Sequence, residues 1–150
     1  MAQLLDYLKR AVDDNASDLF IVAGGPVCEK VNKQIITIGE ERVLPESSKE
    51  MVTQLYAQAQ RPMDNYLREG DDDFSFSVGG LARFRVNTYQ QRGSMAAVVR
   101  VVAFGIPSWQ DMRIPPQVMD LADLTDGMVL VTGTAGSGKS TTQACIIDRI

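Results

Sequence analysis

The chain begins with a helical pattern of hydrophobic positions. Apolar residues recur every three to four positions among charged ones, at Leu4, Leu5, Leu8, Ala11 and Val12. This spacing predicts an amphipathic helix that ends at the Asp13-Asp14-Asn15 turn. Two further helices are predicted over Pro45–Gln60, where a proline suits the first turn, and over Pro62–Arg68, which stops at Gly70.

Between and after these helices the pattern changes to that of β-strands. Short apolar runs predict strands over Asp18–Val22, Val27–Val31 and Gln34–Ile38, the last two as a hairpin. The stretch Phe74–Val102 alternates apolar and polar residues in three runs, which predicts an antiparallel meander. Residues 1–102 are therefore expected to form an α+β domain.

One face of this meander is predicted to be basic, because its arginines alternate with apolar residues. Positions 81 to 102 hold four arginines and no acidic residue: Arg83, Arg85, Arg92 and Arg100. An acidic cluster, Glu69 and Asp71–Asp73, comes just before. The local sequence leaves two interpretations open. The face is either a phosphate-facing surface or a solvated strand face whose arginines pair with the acidic cluster.

Residues 103–126 are predicted to be a linker, because they contain Pro107, Pro115 and Pro116. A short helix is expected over Pro116–Leu121. Trp109 is interpreted as a packing anchor, with a role beside an adenine ring left open.

A phosphate loop follows the linker. Residues 133–140 read GTAGSGKS, which fills the pattern G-x-x-x-x-G-K-[ST]. The apolar run Met128–Thr132 before it predicts a buried parallel strand, and Thr141–Ile150 after it predicts a helix. In this context the loop N–H groups and the helix N-terminus form an anion site, so a nucleoside triphosphate with Mg²⁺ is the expected ligand.

Each residue type in the loop has an expected task. Glycines let the backbone approach a ligand closely. Lys139 is expected to reach the β- and γ-phosphates, and Ser140 to offer its hydroxyl to Mg²⁺. The predicted nucleotide-binding residues are Gly133, Thr134, Ala135, Gly136, Ser137, Gly138, Lys139, Ser140 and Thr141.

The composition of the chain restricts the ligands, the cellular compartment and the side-chain chemistry that we expect. A net charge of −4 argues against nonspecific nucleic-acid binding, and neither a signal peptide nor a membrane span is predicted. Cys28 and Cys145 lie far apart and are interpreted as small buried side chains in a reducing compartment, which favours a cytoplasmic location. The chain has no histidine, so imidazole chemistry is excluded within it.

Residues 127–150 are expected to be the start of a longer domain. A buried parallel strand needs neighbours on its edges, and about 25 residues are too few for a self-stable domain. The acidic residue that organises Mg²⁺ and the group that orients water would both have to follow Ile150. The 150 residues are therefore expected to be the amino-terminal part of a longer protein and to be inactive alone.

Several motifs together resemble the type IV pilus retraction, or twitching motility, ATPases (PilT) of the type II/IV secretion ATPase superfamily. The similarity extends over nearly the whole chain. It is carried by ASDL at 16–19, DFSFSV at 73–78, ARFRVN at 82–87, QRG at 91–93, RVV at 100–102, IP at 106–107 and the loop region 127–142.

The resemblance implies a PAS-like α+β amino-terminal domain over 1–102, a linker over 103–126, and over 127–150 the start of a RecA-like α/β P-loop NTPase domain. It implies a homo-hexamer in the full-length form that uses ATP to power pilus retraction. Such motors lie at the cytoplasmic base of the pilus, peripheral to the inner membrane, and contact the inner-membrane platform proteins. Arg85 and Arg100 are implied to act on the γ-phosphate, whereas Arg83 and Arg92 stay undecided.

The sequence departs from the family pattern at two positions: Phe20 replaces the usual histidine, and Thr134 replaces the usual proline of the loop. The Walker B strand, the catalytic glutamate, the histidine box and the carboxy-terminal helices do not occur within the 150 residues. Two alternatives remain, namely a type II secretion or pilus-extension ATPase, and a non-catalytic truncated module that retains only folding and assembly contacts.

Overall fold

The chain has two compact units, Met1–Phe104 and Gly105–Ile150, called the first and the second unit below. The structure is a computed structural model, and it describes residues 4–102, 105–134 and 136–150. Each unit is described by itself.

The first unit is built on one antiparallel sheet of six strands. The strands are β1 (Asp18–Ile21), β2 (Val27–Val31), β3 (Gln34–Ile38), β4 (Asp71–Val78), β5 (Ala82–Gln91) and β6 (Ser94–Val102). Their order across the sheet is β3-β2-β1-β6-β5-β4. The predicted meander is therefore present, and the predicted α+β class of this unit is confirmed.

Pairing between β1 and β6 joins the amino-terminal hairpin to the meander. Leu19 lies opposite Val99, and Asp18 lies opposite Arg100. The sequence indicated the strands but not this long-range pair, because strand periodicity defines which face a residue occupies and not which strand lies beside it.

Three helices bury one face of the sheet. They are α1 (Leu4–Asp13), α2 (Pro45–Gln58) and α3 (Asp64–Glu69). α1 packs on β1, α2 on β6 and α3 on β4. Large side chains from both layers are fully buried between them, including Leu8, Leu55, Tyr66, Leu19 and Phe84. α3 ends where predicted, because Gly70 takes φ 85 and its N–H closes the last turn on the carbonyl of Tyr66.

The second unit contains α4 (Pro116–Met119), a 3₁₀ turn over Asp120–Asp123, and α5 (Lys139–Arg149). α5 packs on both preceding elements. Arg149 bonds Asp120 and Asp123 at 3.4 and 2.9 Å. The described part of the predicted linker, residues 105–126, therefore packs with the helix that follows the phosphate loop. Residues 103 and 104 lie outside the described residues.

The predicted strand Met128–Thr132 is not a strand in this structure. Its backbone makes no ladder with any described residue, and Met128 and Leu130 are 82% and 74% exposed. The physical reason is that a β-strand is stabilised by hydrogen bonds to a neighbouring strand. The only sheet of the described chain lies in the first unit. The prediction of a buried strand is therefore wrong here, because an apolar run alone does not make a strand.

Among the described residues, no helix combines the length and the apolar character that a membrane crossing requires.

Glu29 on β2 is a buried carboxylate on the helix-covered face. It is 1% exposed, and its Oε2 has no hydrogen-bond partner in the described part of the chain. Burial raises the pKa of Glu29. The Asp14 carboxylate raises it further, because it accepts a hydrogen bond from the protonated form and repels the charged form, and the charge of Arg10 lowers it. Because the folded chain then holds this proton more tightly than the unfolded chain, stability falls as pH rises from the ordinary carboxyl range through the folded pKa.

We expect Glu29→Gln to stabilise the first unit by about 1 kcal/mol at neutral pH, since it removes a buried charge with an unpaired oxygen. The gain should grow as pH rises from the ordinary carboxyl range through the folded pKa of Glu29. Urea unfolding followed by far-UV circular dichroism measures it. Glu50→Gln, at an exposed position of α2, is the control and should change little. A loss of stability in Glu29→Gln at neutral pH would contradict this account.

Candidate functional site

The phosphate loop is shaped by its glycines. Gly133, Gly136 and Gly138 have φ values of 150°, 75° and 89°, a region that side chains with a Cβ rarely adopt. Gly138 stands immediately before α5, so the left-handed turn delivers the chain into the first turn of the helix. Ala135, one of the predicted loop residues, lies outside the described residues.

The loop folds tightly at its first glycine. A Cβ at Gly133 would lie 2.8 Å from Oγ of Ser137. The Ser137 N–H donates to the carbonyl of Thr134 at 3.3 Å, which closes the turn. Nothing lies within 4 Å of a Cβ built at Gly136 or Gly138, so the loop leaves open space beside these residues. This is the shape expected of a cradle for phosphate oxygens.

Lys139 points its charge into the loop. Its Nζ donates to the carbonyl oxygen of Thr134 at 2.6 Å. Ser140 and Thr141 occupy the next positions of α5, with Ser140 exposed. The predicted helix is thus confirmed, and it begins two residues earlier than the sequence pattern indicated. Lys139, Ser140 and the described loop glycines lie together at one end of it.

A second cluster lies on the exposed face of the sheet in the first unit. Arg83, Arg85 and Arg100 point away from the buried residues that alternate with them, and we call these three arginines the arginine face. Arg85 and Arg100 are direct partners in the pairing of β5 with β6. Residues opposed in this way have Cβ atoms about 5 Å apart. The sequence indicated the shared face but not this pairing.

Two of these arginines pair with carboxylates. Arg85 makes a bidentate bond to Asp73, with Nε and Nη2 at 3.1 and 2.9 Å from the two oxygens. Hydrogen bonding to Asp73 raises the pKa of Arg85. Arg100 donates to Asp18 at 3.1 Å. Of the two interpretations of the basic strand face, the structure displays the paired one for Arg85, and its partner belongs to the acidic cluster.

Arg83 and Arg92 differ in position. Arg83 donates to the hydroxyl of Ser75 at 3.1 Å and lines a cleft of about 360 Å³ together with Arg85. Arg92 lies in the turn between β5 and β6, where it and Gly93 have φ values of 51° and 78°. It lies seven positions after Arg85, which corresponds to about 23 Å along a strand. Arg83 therefore lies in the same cluster as Arg85 and Arg100, and Arg92 lies outside that cluster.

Asp72 holds the edge strand β4 in place, and sequence reasoning missed it. It is 5% exposed and accepts two 2.9 Å bonds from Arg61, one of 3.1 Å from Asn65 and one of 3.3 Å from the Tyr56 hydroxyl. The bonds from Arg61 lower the pKa of Asp72, and burial raises the pKa of Tyr56 to about 12. The sequence indicated Asp71–Asp73 only as part of an acidic cluster, and the structure shows that its middle member is a buried structural anchor.

The other residues that the sequence analysis named are Trp109 and the two cysteines. Trp109 is half-buried in a turn, where its carbonyl accepts from the N–H of Ile114. Both cysteines are free: Cys145 is buried and Cys28 half-buried. Within residues 4–102, 105–134 and 136–150, no group of three or more acidic or cysteine side chains could hold a metal ion.

An antiparallel α+β domain followed by a unit with the G-x-x-x-x-G-K-[ST] loop at a helix start defines a phosphate-loop protein. The chain is similar to the type IV pilus ATPase PilU of Pseudomonas aeruginosa, with 32% identity over 140 residues, which is 93% of this chain and 36% of that protein. It is 31% identical over 146 residues to the type IV pilus retraction ATPase PilT of the same species, covering 97% of this chain and 42% of PilT.

Structural similarity agrees with the sequence similarity. A crystal structure of the pilus retraction motor PilT with bound ADP matches 99% of this chain at 34% identity, with a TM-score of 0.81. No protein-family model matches the chain. The chain belongs to the PilT family of type IV pilus ATPases. It spans 36% and 42% of the two P. aeruginosa relatives and 43% of the PilT chain in the crystal structure.

We expect Asp72→Asn to destabilise the first unit by about 2 kcal/mol at neutral pH, since it weakens charged hydrogen bonds to a buried group. A carboxyl pKa that is lower in the folded state contributes stability above the ordinary Asp range, and this stability is lost as pH falls through the folded pKa. The variant should therefore also lose part of the acid sensitivity of the wild type.

Asp71→Asn is the matched control, because Asp71 is the adjacent residue of β4 and is exposed. Its effect should stay within about 0.5 kcal/mol. Near-UV circular dichroism of tyrosine is a suitable probe, since all four tyrosines precede residue 103. Equal effects of the two substitutions would argue against the anchoring role of Asp72.

Proposed function

We propose that this chain is the nucleotide-binding part of a type IV pilus motor ATPase, and that it binds ATP with Mg²⁺ at the phosphate loop. The observation that carries the proposal is the loop itself. Its glycines take left-handed φ values, and Lys139 points into it from the first turn of α5. Membership of a family of pilus ATPases supplies the biological context.

The donors present suit a triphosphate. Loop N–H groups from Gly136 to Ser140 stand at the N-terminus of α5, where the helix dipole favours negative charge. Lys139 would exchange the Thr134 carbonyl for phosphate oxygens, which bind an ammonium group more strongly because they are charged. Ser140 would turn its exposed hydroxyl toward the metal. Bound Mg²⁺ would neutralise charge on the phosphate oxygens.

The arginine face is proposed to act in the same reaction. Arg85 and Arg100 would stabilise the charge of the transferring phosphoryl group, the role that family resemblance implies for them. The finer fold assignments belong to the same proposal: a PAS-like first unit, and a second unit that starts a RecA-like domain. The exposed apolar run 128–132 supports the latter, since parallel strands of such domains are buried on both faces.

For the protein as a whole we propose a homo-hexamer at the cytoplasmic base of the pilus that withdraws pilin subunits and contacts inner-membrane platform proteins. Two named relatives favour retraction over extension or secretion, since both P. aeruginosa PilT and the structurally similar PilT are described as retraction proteins. A non-catalytic assembly role is the alternative that the binding experiment below tests.

Lys139→Ala should weaken ATP binding by about tenfold or more, because it removes the only charged side chain that reaches into the described loop. Equilibrium dialysis of the 150-residue chain with Mg-ATP measures this. Lys49→Ala, on the exposed side of α2, is the charge-matched control and should leave binding unchanged. The proposal fails if wild-type chain binds no ATP, or if both substitutions weaken binding alike.

Steady hydrolysis is not expected from residues 1–150 alone, because the described residues of the second unit include no strand that could present a metal-organising carboxylate. Phosphate release should remain at the background rate of Lys139→Ala. Turnover in the wild type that disappears in this variant would overturn the expectation.

A further inference from the structure

Four charged side chains form a row across the arginine face of the first unit. In order across the sheet they are Asp18 on β1, Arg100 on β6, Arg85 on β5 and Asp73 on β4. The two arginines are direct cross-strand partners. Like charges in this position repel one another and destabilise a sheet, so the outer carboxylates offset a repulsion that the register imposes.

The two ion pairs differ in how firmly they are held. The Asp18 side chain is 11% exposed and also accepts a 2.8 Å bond from the Ser17 hydroxyl. In the other pair both side chains are open to solvent, Arg85 being 63% and Asp73 48% exposed. Exposed pairs are screened by water and contribute little to stability. The two arginines are equally exposed, at 63% each, so the difference lies in the carboxylates. Asp18 is a buried and fixed partner of Arg100, whereas Asp73 is an exposed partner that can be displaced from Arg85.

Asp73, the carboxylate that bonds Arg85, is held in position on β4. Its backbone N–H donates to Oδ1 of the buried Asp72 at 3.0 Å, so the network around Asp72 holds Asp73 at one position along β4. Both oxygens then meet both donor nitrogens of Arg85. A phosphoryl oxygen pair uses the same two donors in the same planar arrangement. Asp73 thus occupies the geometry that a phosphate would need.

Space for a phosphate exists beside this pair. The cleft of about 360 Å³ is lined by Asp73, Phe74, Ser75, Arg83, Arg85 and Val102. Arg83 borders it, and its bonded partner among the described residues is the neutral hydroxyl of Ser75. A phosphoryl group that displaced Asp73 would gain two guanidinium groups, whereas the carboxylate holds one.

We propose that Asp73 is an internal competitor that occupies Arg85 until a phosphoryl group replaces it, while Asp18 is a positioning residue that keeps Arg100 oriented. This inference rests on the proposed phosphate-directed role of the arginine face and adds a resting state to it. Arg85 is not an idle, solvated side chain before the ligand arrives. Its bonds to Asp73 hold it, and breaking them costs free energy that a phosphoryl group has to offset.

The test uses the 150-residue chain, inorganic tripolyphosphate as the probe, and the side-chain Nε–Hε signal of Arg85 in nuclear magnetic resonance spectra. Asp73→Asn should tighten the apparent binding of tripolyphosphate at this signal by about three- to fivefold, because the competing charge is gone. Asp73→Glu keeps a carboxylate and should restore most of the wild-type behaviour.

Asp71→Asn is the control for overall charge, since it removes the same charge from the same strand without a bond to Arg85. Equal tightening by both Asn variants would overturn the proposal, because it would reduce the effect to net charge. The proposal is also overturned if the Arg85 signal responds to tripolyphosphate in none of the chains.

The backbone signals of Gly136 and Gly138 report on the phosphate loop in the same titration. Response of these glycines without response of Arg85 refutes the competitor role alone. Response of Arg85 that tightens in Asp73→Asn, without response of the glycines, supports the competition by Asp73 and refutes the proposed binding at the loop. The two failures are therefore distinguishable in one experiment.

Discussion

The pairing of β5 with β6 is the constraint on which the first unit depends. It runs from Arg83–Val102 to Gln91–Ser94, and it sets Val86 against Val99 inside and Arg85 against Arg100 outside. A shift of one residue would exchange these faces, so that arginines would enter the core and valines would face water. Burial of the apolar side chains therefore selects the register, and the register places the two arginines opposite one another.

The acidic residues of the first unit follow from that placement. Asp73 and Asp18 lie at either side of the arginine pair and offset its repulsion. Asp72, which points to the opposite face, ties the edge strand to α2 and α3 through Tyr56, Arg61 and Asn65. Alternation along β4 thus gives neighbouring aspartates different tasks, one structural and one electrostatic. The proposed competition for Arg85 combines both, because the buried aspartate holds the exposed one in position.

Much of this could be predicted from the sequence, and the limits have physical causes. Alternation located the strands, Gly70 marked the end of α3, and the G-x-x-x-x-G-K-[ST] pattern located the loop at the start of α5. Local pattern could not show that β1 pairs with β6, because that contact joins residues 82 positions apart. It also could not distinguish buried Asp72 from exposed Asp71. The run 128–132 shows the converse limit, since an apolar strand-like composition needs a partner strand to become a strand.

The central claim is that the glycine loop before α5 is the phosphate-binding element of this chain. Hydrogen–deuterium exchange with and without Mg-ATP tests it directly, because bound phosphate oxygens would hold the loop amides and slow their exchange. We predict slower exchange within residues 136–142 and unchanged exchange in α1, which contains no proposed ligand. Unchanged exchange at 136–142 under saturating Mg-ATP would contradict the account.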